Sequence, residues 1–270
     1  MAITSANAYV AAARQRIVIN RTQNLTSATN SFQSVSTLAA AGNPGAGNLA
    51  IGNTTSGVVF DSTTAGAPSI KAFGSGATGY LQCATFRPDR ICAATLYDRV
   101  YGLGAITSAV GTITFSSQPS FSSRAPDGNF GQFELWIEWA TTPSAGSLIG
   151  TITYTDGAGT AGVVTPQFQA TGNISAGAVT PLAMLSNGVQ KVESITVTTA
   201  SATGNFNILV VRRLAEFDIR VANAAQTLDW DSIGANEVSS SACLAVAVHQ
   251  DGLAAATVAA FNLSLTIANG

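Results

Sequence analysis

The sequence predicts an all-β protein: an antiparallel β-sandwich, jelly-roll-like, preceded by an extended N-terminal arm. Three observations carry this. Short stretches in the last two thirds of the chain alternate apolar and polar residues, the period of a strand with one buried face. Turn-forming sequences such as Asp127-Gly128, Asp156-Gly157, Thr203-Gly204-Asn205 and Asp251-Gly252 separate these stretches. No amphipathic helical pattern of about 10–15 residues lies between them, which excludes a βαβ architecture.

Residues 1–85 read as the arm. The first 80 residues carry only Arg14, Arg16, Arg21, Asp61 and Lys71 as charges, and they include the run "LAAAGNPGAGNLAIGNTTSG". A short helix is expected over about residues 5–16, then extended and loop structure. Such a segment cannot build much core of its own, so it either stays mobile or gains order by lying against something. No acid precedes Asp61, so the three arginines make a basic start that serves either as a solvated arm or as a contact with an acidic partner.

Residues 86–270 read as the β-sandwich domain. In "FELWIEWA", Phe133, Leu135, Ile137 and Trp139 share one face, with Glu134, Trp136, Glu138 and Ala140 opposite. "FNILVVRR" groups Phe206, Ile208 and Val210; "AFNLSLTI" groups Phe261, Leu263, Leu265 and Ile267 against Asn262, Ser264 and Thr266. Further strands are expected at Leu96–Tyr101, Val110–Phe115, Leu148–Thr155, Val163–Gln169, Val192–Thr199 and Cys243–His249. Each inward Phe, Leu or Ile contributes ~1.5–3 kcal/mol, so this domain should need neither cofactor nor metal.

Composition narrows the function. Of 270 residues only 10% are charged and 46% are hydrophobic, with mean hydropathy +0.29; an ordinary soluble domain has roughly 25% charged residues. Ser, Thr, Asn, Gln and Gly must keep the chain in solution, a weak defence against association, so a homo-oligomer is expected, with a trimer as the specific guess. The net charge of −2 offers no general attraction to nucleic acid or to a membrane. The first residues lack the basic and apolar regions of a secretory signal, which implies synthesis in a cytoplasm. The apolar stretch 242–267 is interrupted by His249-Gln250-Asp251-Gly252 and reads as two strands around a turn rather than a membrane span.

Catalytic chemistry is sparse. Gly157-Ala-Gly-Thr-Ala-Gly162 spells a G-x-G-x-x-G, but Val163, Val164, Thr165 and Pro166 follow where a phosphate-binding helix must start, so a hairpin turn is expected. His249 is the single histidine and has no G-x-S-x-G companion. Glu134 and Glu138 lie on one strand roughly 13 Å apart at the usual rise per residue, where a glycosidase pair would face across a cleft; solvent-facing or interface acids are expected. Trp136 between them could stack on a sugar if exposed. Asp229-Trp230-Asp231 imitates the alternating acids of a calcium loop without its Gly or distal Glu, and reads as a polar loop around a partly buried Trp230. Arg212-Arg213, ahead of Glu216 and Asp218, reads as an ion-paired strand end. Cys83, Cys92 and Cys243 have no metal-binding spacing; a turn at Pro88-Asp89 could bring Cys83 and Cys92 together, or all three are small buried thiols.

The blocks "LYDRVYGLGAI", "ELWIEW", "TITYTDGAGTAG", "VQKVESITV", "NFNILVVRRLAEFDIRVAN" and "FNLSLTIANG", spanning roughly residues 92–270, resemble a group of virion structural proteins of tailed bacteriophages. The resemblance implies a non-enzymatic capsid decoration or cement protein, made in the host cytoplasm, placed on the capsid surface and partnered by the major capsid protein and by copies of itself. On that expectation Arg14, Arg16, Arg21 and Trp136 are the partner-binding candidates. The alternative is a carbohydrate-binding β-sandwich, a receptor-binding or adhesion module, with Trp136 or Trp230 as its stacking platform.

Overall fold

The computed structural model describes residues 5–25, 32–38, 41–51, 55–143, 147–171, 174–200, 203–250 and 257–270. Every strand pairing among them is antiparallel. The organising elements are two long strands, β6 (Cys92–Thr107) and β14 (Asn205–Ile219), which pair along nearly their whole length. From β14 the middle sheet continues through β8 (Glu134–Trp139), β12 (Ala178–Pro181), β2 (Phe32–Ser34) and β17 (Leu244–Gln250), and β17 pairs back onto β6. The sheet therefore closes into a ring, with β4 (Val58–Val59) added beside β6.

Two further sheets flank this ring. The first outer sheet runs β15 (Gln226–Asp229), β5 (Gly79–Pro88), β18 (Thr257–Asn269), β1 (Ala13–Leu25) and β3 (Ala41–Asn43), with β16 (Glu237–Val238) also on β5. The second runs β10 (Val163–Val164), β9 (Ser147–Asp156), β13 (Val189–Thr199) and β7 (Gly111–Thr114), with β11 (Phe168–Thr171) also on β9. Two short α-helices, α1 (Ala6–Ala11) and α2 (Trp230–Ile233), and three 3-10 turns, Ser122–Arg124, Pro126–Gly128 and Phe130–Gln132, complete the regular structure described.

Alternation explains the layers. In β18, Phe261, Leu263, Leu265 and Ile267 are buried while Asn262, Ser264 and Thr266 remain partly exposed. The buried set packs with Ile17, Ile19 and Phe86 against Ala94, Leu96, Phe217 and Val246 of the ring. Across the other half of β6 and β14, Ile152, Tyr154, Val192 and Ile195 pack against Leu135, Ile137, Trp139, Ile208 and Val210. A third cluster, with Tyr97, Trp136, Val179, Leu209, Val211 and Ala245, fills the ring from the opposite strand faces. The ring strands are thus buried on both faces, which a one-faced alternation does not anticipate.

The N-terminal segment departs from expectation. Instead of an arm spanning 1–85 beside a domain spanning 86–270, residues 13–25 form β1, paired residue for residue with β18, and the expected boundary falls inside β5. The helix is also shorter than expected, because β-branched Ile17, Val18 and Ile19 favour a strand. Beyond β3, the described residues 44–51 and 55–57 of the glycine-rich stretch lack regular structure, but this part of the chain is pinned to the molecule. Ile51 and Phe60 enter the third cluster, and Gly66, at φ +85°, lies where any added Cβ would sit 2.0 Å from the Ser36 carbonyl oxygen. Val163–Gln169 divides into β10 and β11 around Pro166, and Asp127-Gly128 turns the chain as expected, within a 3-10 turn. The Asp251-Gly252 turn lies outside the described residues.

Candidate interaction surfaces

The acids that could have served catalysis are committed to structure. Glu138, with 0% exposure, accepts from Arg99 Nη2 at 2.6 Å, Asn207 Nδ2 at 3.0 Å and Thr37 Oγ1 at 3.0 Å. The Arg99 guanidinium also lies 4.1 Å from the Phe60 ring centroid. Glu134 accepts from Arg213 Nε at 2.9 Å and from the Trp136 indole at 3.0 Å. The two carboxylates thus serve separate interactions, and Glu138 is neither solvent-facing nor at an interface. A second buried pair, Asp98 with Arg124, also takes the Cys243 amide at 3.0 Å. The Asp-Arg step inside the apolar run "TLYDRVYGL" is the sequence signal that could have disclosed these pairs.

Trp136 is no stacking platform. It is 2% exposed and packs 4.9 Å from the Tyr97 ring, because its face of β8 points into the ring rather than to solvent. Arg21 is likewise unavailable to a partner: it has 0% exposure and donates to the carbonyls of Gly45 at 2.8 Å and Gly66 at 3.2 Å, tying the glycine-rich segment to β1. Arg14 is exposed but occupied. Its Nε donates to Gln82 at 2.7 Å, and its other nitrogens reach the carbonyls of Tyr9, Val10 and Ala12 at the C-terminal end of α1. Arg16 is exposed and donates from Nε to Ser264 Oγ at 2.9 Å.

The remaining motifs resolve into local architecture. Val163 pairs with Tyr154 across the Asp156-Gly157 loop, which is therefore a hairpin connection. Asp156 accepts from the amides of Ala158 at 3.0 Å and Thr160 at 2.8 Å and from Ser186 Oγ at 2.6 Å; the Ser186 bond, then the Thr160 amide, hold its carboxyl below the usual range. Glu193 accepts from the Gly162 amide, so carboxylates of the chain occupy the N–H groups a phosphate would need. Asp229 is the N-cap of α2, where the Ser232 amide and hydroxyl lower its pKa. Arg213 is ion-paired to Glu134 and Glu216, but it lies inside β14 rather than at the strand end expected, and Arg212 beside it donates to the Glu237 main-chain carbonyl instead of joining an ion pair. His249 is half-buried with its ring 5.5 Å from that of Phe32. The three cysteines are free, and burial pushes the thiols of Cys92 and Cys243 up to about 12. Among the described residues no group of three or more His, Cys, Asp or Glu could hold a metal ion, and no helix is long and apolar enough to cross a membrane.

Among the described residues, the surfaces open to partners include the outward face of each flanking sheet. That of the first sheet carries Arg14, Arg16 and Arg87, with Trp230 at one end, 52% exposed and 5.7 Å from the Tyr9 ring. That of the second is a hydroxyl array: Thr112 opposes Thr196, which opposes Thr151, and Thr114 opposes Ser194, which opposes Thr153. The hydroxyls of Thr112 and Thr196 meet at 3.0 Å. Its charges, Lys191 and Glu193, lie towards one end of β13.

No protein-family model matches this chain, and no curated protein matches it in sequence. Among solved structures, the infectious bursal disease virus VP2 subviral particle is 9% identical with a TM-score of 0.20, over 95% of this chain and 80% of that one. The structure of the infectious bursal disease virus Gt strain is 12% identical with a TM-score of 0.19, over 95% and 81%. T=1 particles derived from the same virus give 11% and 0.18, over 95% and 78%. These neighbours are viral particle proteins, at TM-scores too low to carry an argument about this chain.

Proposed function

We propose that this chain is a non-enzymatic virion structural protein, a capsid decoration or cement protein that self-associates on a lattice of major capsid protein. The observation that carries the proposal is the threonine and serine array on the outward face of the second outer sheet. Short hydroxyl side chains on paired strands form a surface with little side-chain entropy to lose, and its burial does not incur the desolvation cost of charged groups. The low overall charge supports the same role, as does the engagement of Glu134 and Glu138 by structural partners. Arg16 and Arg87 on the outward face of the first outer sheet are suited to an acidic neighbour.

Light scattering over a wide concentration range, together with co-sedimentation on capsids, tests this function. Self-association, with a trimer as the specific expectation, and capsid binding support it; a monomer at all concentrations that ignores capsids overturns it. A second reading, saccharide binding, rests on the exposed ring of Trp230 beside Tyr9. A selective glycan-array signal that disappears in Trp230→Ala would favour that reading instead.

A further inference from the structure

β7 ends the second outer sheet, and its outer edge is open. The Phe115 amide donates to the Glu193 carbonyl at 2.8 Å, so in the register with β13 the residues Gly111, Ile113 and Phe115 turn their main-chain groups toward that strand. Thr112 and Thr114 turn theirs away from it. On that side the Ser116 amide goes to the Thr55 carbonyl at 3.2 Å. No acceptor among the described residues takes the amides of Thr112 and Thr114, and both residues are exposed.

Other edges of the flanking sheets are guarded. The part of β1 beyond its pairing with β3 carries Arg14 and Arg16, β15 ends on Asp229, and Pro166 interrupts the edge made by β10 and β11. Charge and proline discourage pairing with another chain. β7 has neither: it reads Gly-Thr-Ile-Thr, and from Val100 to Ser123 the sequence holds no charged residue. Uncharged β-branched residues on an open edge favour the addition of another strand.

We propose that β7 pairs with β7 of a second copy of this chain, antiparallel across a two-fold axis through Ile113. In that register Thr112 of one copy faces Thr114 of the other, and each such pair exchanges both main-chain hydrogen bonds. The second outer sheet then continues from one molecule into the next. Self-complementarity selects a second copy, because the outward groups of Thr112 and Thr114 are exchanged by the axis and the strand is its own match. Neither strand brings a charge to be desolvated. The hydroxyl ranks of the outward face, Thr112 with Thr196 and Thr114 with Ser194, also run on across the axis. The inference rests on the proposed self-association and names one of its contacts; being two-fold, this contact is distinct from the trimeric one and can stand beside it on a lattice.

Hydrogen exchange of the full chain at rising protein concentration tests the contact, read by mass spectrometry on the peptide covering residues 110–116, with light scattering on the same samples. The Thr112 and Thr114 amides should exchange at least tenfold more slowly once the chain associates. Thr114→Pro removes an outward donor and leaves the β13 ladder intact, and it should raise at least tenfold the concentration at which the Thr112 amide becomes protected. Thr114→Val deletes the same hydroxyl but keeps the amide, and should leave that concentration unchanged. Association without protection of this peptide, or equal shifts in both variants, would overturn the contact and leave the proposed function standing. Protection that appears only when capsids are added would overturn the second copy as occupant and give the edge to the capsid protein. A monomer that ignores capsids at every concentration would overturn both.

Discussion

The interior of the closed middle sheet and the two cores that separate it from the outer sheets are built on the same strands, yet they hold different chemistry. Outward from the ring, β8 and β14 present Leu135, Ile137, Trp139, Phe206, Ile208 and Val210 to an apolar layer. Inward, the same strands present Trp136, Glu138, Asn207, Leu209 and Val211. The interlayer cores are held mainly by apolar area, with the Asp98–Arg124 pair buried on the same outward face of β6; the interior centres on a carboxylate satisfied from β6, β14 and the segment after β2. Closure of the sheet makes that difference. It encloses a face that an open sandwich would leave to water, and polar groups on that face must then find partners within the chain.

Mutation at Glu138 should have the largest effect. Glu138→Ala leaves Arg99 buried without its carboxylate, and a loss of about 3–5 kcal/mol is expected from urea unfolding. Arg99→Met with Glu138→Leu should recover most of it, since removing both charges removes the unpaired one. A Glu138→Ala cost below about 1 kcal/mol would erase the distinction between interior and interlayer. In the interlayer, Leu263→Ala should cost about 2–5 kcal/mol through lost burial and a cavity, and no compensating polar substitution should rescue it.

Alkaline titration sharpens the comparison with one thiol from each region: Cys92 in an interlayer core and Cys243 in the ring interior. Burial raises both pKa values from 9.0 to about 12. The unfolded chain therefore ionises first, and this contribution to stability is intact below about pH 9 and is lost as pH rises towards 12. The unfolding free energy should fall by about 1.4 kcal/mol per pH unit for each thiol in that window. Cys92→Ala and Cys243→Ala should each remove one proton's share of the slope. Equal slopes in wild type and both variants would show that neither thiol is protected as its burial implies. The smallest effect on folding is expected at the surface. Thr196→Lys should change stability by no more than about 0.5 kcal/mol yet weaken self-association measured by light scattering. Unchanged association would remove the hydroxyl array from the proposed interface.

Much of the strand content was legible because alternation is a local property. "AFNLSLTI" gave the buried face of β18 correctly, and Asp156-Gly157 marked a hairpin connection whose carboxylate now closes the loop. The candidate site was less legible. Arg14, Arg16 and Arg21 look alike in sequence, but strand parity sends Arg16 outward and Arg21 inward, and only Arg21 meets the carbonyls of Gly45 and Gly66. Trp136 sits on the polar face of its strand by pattern and in a core by packing. Neither outcome depends on neighbours in sequence.

By itself the sequence determined that the chain is β, where many of its strands run, which residues of β18 share a face, and that charge would be scarce on its surface. Those properties follow from side-chain period, turn chemistry and composition, all of which act over a few residues. Tertiary structure alone decided that β17 would return to β6 and close the middle sheet, that β1 would pair along β18 instead of leaving the molecule, and that Arg99 would meet Glu138. These depend on which distant strands become hydrogen-bonded neighbours, and once closure encloses the second face of a strand, the polar residues on it are placed by their partners rather than by their period.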